Sequence, residues 1–353
     1  MTFDKRFRLS HRLSEAFRSQ SKSCASLGST FTASLMLMLP SILPSAPRLF
    51  KRLCEWSGDV SSRGASLPLR VAGGLHFLVR VGEVPDLAKA YPPNQVGDLE
   101  SALRRALEQH DDWLCEWVEL PPQTNEVGRS AVLIAAARWI TENTGFPLRL
   151  SELGASAGLN LNFDHYALLP NGSSISNEGG VLLRPDWSGK IPQECRLEIV
   201  ERRGVDLSPM EPSLDAERLI AYIWPDQLDR LERVTRALEL ARKFAVPVDK
   251  GEAADWLSER LTLASDSSCH FVFHTIAHQY FPDETKAMIE AEMQSAGSLA
   301  TSQSPLAWFG MEADADPNGA ALSLRLWPGD QRYSLGRAGF HGQWVNWKVQ
   351  RLD

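Results

Sequence analysis

The chain has 353 residues, 43% hydrophobic and 23% charged, with a formal net charge of -7. That composition belongs to a soluble globular protein with room for one large domain or two ordinary ones, and its acidity argues against any general affinity for nucleic-acid phosphates or anionic lipid. The five cysteines (Cys24, Cys54, Cys115, Cys195, Cys269) never form C-x-x-C, so neither a disulfide framework nor a structural zinc site is expected, and the expected compartment is a reducing cytoplasm.

In chain order, the opening stretch reads as an amphipathic helix through Phe7, Leu9, Leu13 and Phe17. The apolar run Phe31 to Leu43 is interrupted by Pro40 and is too short to span a bilayer core of about 30 Å. Apolar residues at three- and four-residue spacing predict helices over 13–27, 67–81 and 99–118, and Gly73-Gly74 allows close helix packing or a bend. A polar turn, Gln123-Thr-Asn125-Glu126-Val-Gly-Arg129-Ser, then leads into a helix over 130–143. Thr124 or Asn125 suits its N-cap and Glu126 its positive end. The same cluster is also placed to face a pocket.

From Pro147 the pattern changes to strands alternating with helices. Strands are expected at 148–153, within 196–207, at 246–248, 269–274, 306–311 and 321–327, and at 344–349. Helices are expected at 215–244, interrupted at Pro225, and at 282–296. The reading is an α/β fold: a helical N-terminal region over 1–120, then a Rossmann-like domain with a mainly parallel sheet over 121–353. An insertion near 165–195 includes a polar stretch, 171–180, read as a hairpin.

Glu152-Leu-Gly154-Ala-Ser156-Ala-Gly158 follows the first strand of that region. Small residues there let backbone approach a ligand, and free N–H groups at such a turn can bind an anion. A dinucleotide loop would need glycine at 156 and 159, and a P-loop would need Gly-Lys-Ser/Thr where Leu159-Asn160 stands, so both fit poorly. Gly154-Ala-Ser156-Ala-Gly158 also satisfies G-x-S-x-G, the nucleophile elbow of serine esterases, with Ser156 as nucleophile and His274, His278 or His341 as base. That fold, however, places several strands before its elbow, and here helices precede it.

The segment resembles the first motif of class I S-adenosylmethionine-dependent methyltransferases, with Ser156 at the middle glycine position. Arg203-Gly-Val-Asp206 resembles the second-strand end of that family, Gly251-Glu252-Ala-Ala its third-strand segment, and His270-Phe-Val-Phe-His274 its fourth strand. The resemblance implies a mainly parallel sheet of seven strands and S-adenosylmethionine as cofactor. Gly154, Ser156 and Gly158 would then receive the methionine part, Glu152 its amino group and Arg129 its carboxylate, with Asn125 and Glu126 assisting. Asp206 would bind the ribose, Glu252 would lie near the adenine, and His274, His278 and Tyr280 would serve the methyl acceptor, a small molecule. Over nearly its full length the chain also resembles a bacterial family, domain of unknown function 2332, through Gln123-Thr-Asn-Glu-Val-Gly-Arg-Ser, the Glu152 motif, Gly204-Val-Asp-Leu-Ser-Pro, Trp224-Pro-Asp226-Gln227 and His341-Gly-x-Trp344. That family implies no reaction.

Other readings are weaker. His270, His274 and His278 suggest a metal triad, but two of them four residues apart on a strand are about 13 Å apart, so no metal is expected. The 11 tryptophans suit an amphipathic core better than a stacking surface, although the Trp224-Pro-Asp-Gln segment is placed to cover a pocket. Arg202-Arg203 is too small a basic patch for nucleic acid. A non-catalytic protein that binds a ligand or partner on the same fold is the alternative to an enzyme.

Overall fold

The computed structural model describes residues 9–173, 180–262 and 267–352. In chain order its elements are α1 (His11–Ser26), α2 (Thr30–Ile42), α3 (Pro47–Cys54), α4 (Leu67–Arg80), α5 (Pro85–Ala90), α6 (Leu99–Gln109), α7 (Asp111–Trp117), α8 (Ser130–Thr144), β1 (Leu148–Leu153), β2 (Ala167–Leu168), β3 (Leu182–Leu183), β4 (Asp186–Ser188), β5 (Ile199–Asp206), α9 (Ala216–Ala221), α10 (Leu228–Lys243), β6 (Val248–Lys250), α11 (Ala253–Thr262), β7 (Cys269–Thr275), α12 (Asp283–Leu299), β8 (Leu306–Glu312), β9 (Ala320–Trp327), β10 (Gln331–Ala338) and β11 (Trp344–Leu352). They group into two compact units: Met1–Thr124 with Leu214–Glu232, and Asn125–Ser213 with Arg233–Asp353.

The first unit is helical. Polar caps start its helices where the sequence offers them: Ser10 Oγ accepts the Leu13 N–H, Ser29 Oγ that of Thr32, and an Asp98 carboxylate oxygen that of Ser101. Phe17, Leu35, Met36, Leu39, Leu75 and Leu103 form its core, joined by Ala221 and Tyr222 from the later segment. The expected helix over 215–244 is broken into α9 and α10 around Trp224-Pro225. That break joins segments about 195 to 200 residues apart in the chain. Asp226 accepts from Ser29 Oγ and the Phe31 N–H, and Gln227 Nε2 donates to the Leu27 carbonyl, so Asp226 and Gln227 anchor the α1–α2 junction. Among the described residues, no single helix is long and apolar enough to cross a membrane.

The second unit is built on one sheet of nine strands in the order β4-β11-β10-β9-β8-β7-β1-β5-β6. The five strands β6-β5-β1-β7-β8 are parallel. Three antiparallel pairings extend the sheet through β9 to β11, and β4 joins β11 in parallel. The sheet thus has nine strands where seven were expected. The sequence reading missed β4 and β10, although Pro328-Gly329-Asp330, with positive φ at Gly329 and Asp330, turns β9 back into β10. Of the expected hairpin over 171–180, residues 174–179 lie outside the described residues, and the strands on either side, β2 and β3, pair in parallel. Every residue of β1 and of β7 is buried, as befits central parallel strands covered on both faces. Leu153, Val272, Leu257, Ile289 and Met293 make the core on the α11 and α12 face.

Candidate functional site

In an open parallel sheet, ligands bind beyond the carboxyl ends of strands that connect to opposite sides. β1 is that centre here: β5 and β6 lie to one side of it and β7 and β8 to the other. Its following turn is tight, with Gly154 at φ +74°, Ser156 at +53° and Gly158 at +69°. At each, a left-handed backbone reverses the chain; it costs glycine nothing and serine a little.

Five N–H groups of this turn, expected to be free, are already taken. Gly154 and Ala155 donate to the Val205 carbonyl, Ser156 to Asp206 Oδ2 at 2.9 Å, Gly158 to the Ala155 carbonyl, and Leu159 to Asn125 Oδ1 at 2.7 Å. Leu159 also opens the short 3-10 helix over Leu159–His165, so its first N–H is taken by Asn125. The turn is braced from within by the second strand and by the loop before α8.

That bracing decides the roles of the residues ahead of β1. Asn125 holds Leu159. Glu126 Oε1 accepts the Gly128 N–H at 3.0 Å and pairs with Arg233 at 3.3 Å. Arg129 is buried and donates to the backbone carbonyls of Phe340 and Thr275, at 3.0 and 2.9 Å. These three stitch the loop, β7 and the β10–β11 connection together. Glu252 acts likewise: its Oε2 caps α11 through the Ala254 N–H and its Oε1 accepts from Thr285 Oγ1.

Glu152 and Asp206 are different. Glu152 is 1% exposed and pairs across the strands with Phe273. Its Oε2 has no hydrogen-bond partner, and the Asn160 amide lies beside the carboxyl. Burial holds the Glu152 carboxyl well above the usual carboxylate range, and the nearby Asp206 charge adds to this against the pull of Asn160 and Arg129. Asp206, at the end of β5, accepts the Ser156 and Ser208 N–H groups on separate oxygens. A carboxylate accepts about four hydrogen bonds, so Asp206, half exposed, retains capacity for a ligand.

A second cluster follows β7. Glu312, at the end of β8, accepts His274 Nδ1 at 2.7 Å and the backbone N–H groups of Ala277, His278 and Gln279 at 3.1 to 3.3 Å. Burial pushes the Glu312 carboxyl up, but the His274 hydrogen bond and the backbone donors outweigh it, and the group stays below its usual range. Around this anion the chain makes a strained corner: Ile276 sits at φ +50°, a conformation that costs a β-branched residue on the order of 1–3 kcal/mol and concentrates at functional positions. The His278 ring stacks on His274 with centroids 4.7 Å apart, and its Nε2 is buried without a partner. Desolvation, helped by the neighbouring imidazole, pulls the His278 pKa down to about 4. Tyr280 is 61% exposed and stays outside the cluster.

Side-chain alternation puts Glu152 and His274 on opposite faces of the sheet. The two clusters meet only at its edge, where a Cβ on Gly154 would lie 2.6 Å from the Ala277 Cβ. Sequence reading missed Glu312, Ile276 and Asn160. An acid at a strand end was the only available signal for Glu312, and nothing in the letters marks Ile276. Among the described residues, no group of three or more His, Cys, Asp or Glu side chains is arranged to hold a metal ion.

No curated protein and no solved structure matches the chain. A family model, described as an uncharacterized protein conserved in bacteria (DUF2332), matches residues 14–347. With nearly the whole chain covered, the protein belongs to this bacterial family.

Proposed function

We propose that the protein is a cytoplasmic S-adenosylmethionine-binding enzyme that methylates a small molecule, with the donor seated at the carboxyl edge of β1 and β5. The observation that carries this reading is the Glu152 carboxyl, whose Oε2 lacks a hydrogen-bond partner, buried beneath the Gly154–Gly158 turn at the centre of a parallel strand set ordered third, second, first, fourth, fifth. An unpartnered buried acid is costly, and a ligand ammonium group supplies what it lacks. The residues fit the donor in part. Glu152 suits its amino group and Asp206 its ribose hydroxyls. Arg129, Asn125, Glu126 and Glu252 are committed to the protein's own backbone and side chains and serve as supports.

When bound, S-adenosylmethionine supplies an electrophilic methyl group. Glu152 would hold and orient its amino end, and Asp206 the ribose. His278 Nε2, neutral near pH 7, would take the proton released by the acceptor, while His274 and Glu312 fix the plane of the His278 ring. A net charge of -7 favours a small acceptor over a nucleic acid.

Calorimetric titration with S-adenosylmethionine and S-adenosylhomocysteine tests the reading. Both ligands should bind, and Glu152→Gln or Asp206→Ala should each weaken binding by about tenfold or more. Failure of both ligands to bind the unmutated protein sinks the proposal.

A further inference from the structure

Gly310 lies between two polar side chains on the α12 face of the sheet. It pairs with His274 of β7 on one side and with Ser323 of β9 on the other, so all three residues share a face. A Cβ built on Gly310 would fall 2.9 Å from His274 Cε1, 3.4 Å from its Nε2 and 3.1 Å from Ser323 Oγ. The imidazole and the hydroxyl therefore lean towards one another over the bare glycine, each within 3.4 Å of one point. Any side chain at 310 would hold them apart.

The far side of the imidazole is already fixed. His274 Nδ1 meets Glu312 Oε1 at 2.7 Å. A carboxylate can only accept, so Nδ1 carries the hydrogen and Nε2 presents its lone pair to the space over Gly310. Glu312 is in turn locked by three backbone donors. Ser323 is exposed, so a substrate can reach its hydroxyl. No hydrogen bond joins Ser323 to His274 as yet, and nucleophile–base contacts are often looser before substrate binds.

We infer that Ser323, His274 and Glu312 form a nucleophile–base–acid array able to transfer acyl groups from esters to water. Ser323 Oγ attacks the acyl carbon while its proton passes to His274 Nε2. Collapse of the tetrahedral intermediate breaks the bond to the alcohol, which leaves with that proton. Water then attacks the acyl-serine, again giving its proton to His274, and the carboxylic acid departs as the serine is re-protonated. Glu312 keeps the imidazole in the required tautomer and stabilises it when protonated. This goes beyond the methyl-donor reading and does not rest on it: that reading sets Glu152, Asp206 and His278 against the ligand and acceptor, and uses His274 and Glu312 only to hold the His278 ring.

The test is covalent labelling of the full chain with a fluorophosphonate, followed by peptide mapping. The expected result is one adduct on Ser323, absent from Ser323→Ala, a substitution at an exposed position that leaves the thermal melt unchanged. His274→Gln should slow labelling about 100-fold or more, and Gly310→Ala should slow it by wedging the pair apart, with the circular dichroism spectrum showing that both variants fold. An unlabelled wild-type protein overturns the inference. So does an adduct on Ser156, or labelling that persists in Ser323→Ala.

Discussion

Four donors converge on the Glu312 carboxylate: one imidazole and three successive backbone N–H groups. Removing the acceptor leaves those N–H groups to find water or remain unpaired, each at a cost of about 1 kcal/mol or more. Glu312→Ala should therefore lose about 3 kcal/mol in urea denaturation at pH 7, and Glu312→Gln less. The pH dependence has a definite sign. The folded pKa of Glu312 lies below its ordinary 4.5, so its contribution is complete above that value and is lost as pH falls through the folded value. Glu152 has the opposite sign. Its folded pKa is raised well above 4.5, so its contribution is present below 4.5 and is lost as pH rises through the folded value. Glu152→Gln should consequently stabilise the protein at pH 8 relative to wild type, even as it removes the proposed ligand contact. Equal or lower stability of that variant at pH 8 would contradict the account of Glu152 as a buried acid that lacks enough partners to hold its charge.

The element that organises the site is the turn after β1, and its tightness is a matter of two methyl groups. Gly154 has φ +74°, and a Cβ there meets the Ala277 Cβ at 2.6 Å. Gly154→Ala should cost about 2 kcal/mol, part from the left-handed backbone and part from the clash with the β7 loop. Ala277→Gly removes the clash but not the backbone term. The double variant should thus recover about 1 kcal/mol relative to the sum of the single changes, measurable as a coupling in urea midpoints. Additive effects would show that the loop yields freely. Much of this turn was legible beforehand. Leu148 to Gly158 reads as strand then small residues because short-range pattern and turn chemistry both act within a dozen positions. That the turn is braced from within was not legible, because the groups that take its N–H donors, Val205, Asp206 and Asn125, are brought to it by strand order. Glu312 escaped for the same reason, being 38 residues from the His274 that it orients. Ser323 and Gly310 matter only through register across β7, β8 and β9, and register is a property of the assembled sheet.

At the scale of the whole chain, helices come first in sequence, yet the helical unit is not completed by them. Residues 214–232, read from the sequence as part of the α/β region, belong to that unit. The contacts show why. The Tyr222 ring lies where a Cβ on Gly73 would meet its Cε1 at 2.6 Å, and it stacks on Trp117 at 5.9 Å. His76 Nδ1 meets the Ala221 carbonyl at 3.1 Å, Arg80 pairs with Glu217, and Asp226 caps the start of α2. A fragment of residues 1–124 would expose the groove along Gly73 and leave the His76 imidazole, neutral in the fold because burial lowers its pKa to about 4, open to water. Restoring the Tyr222 side chain alone is worth about 2–3 kcal/mol of apolar burial, a large share of what a domain of this size has in total. The fragment 1–124 should therefore unfold without a cooperative urea transition and bind a hydrophobic dye. The same fragment joined to 214–232 by a flexible Gly/Ser linker should unfold cooperatively and exclude the dye. Cooperative unfolding of 1–124 by itself would mean that the returning segment decorates the helical core without completing it. The linked pair would then gain nothing over the fragment, and Tyr222→Ala in the full chain would cost less than about 1 kcal/mol instead of the 3 or more expected for a buried aromatic ring.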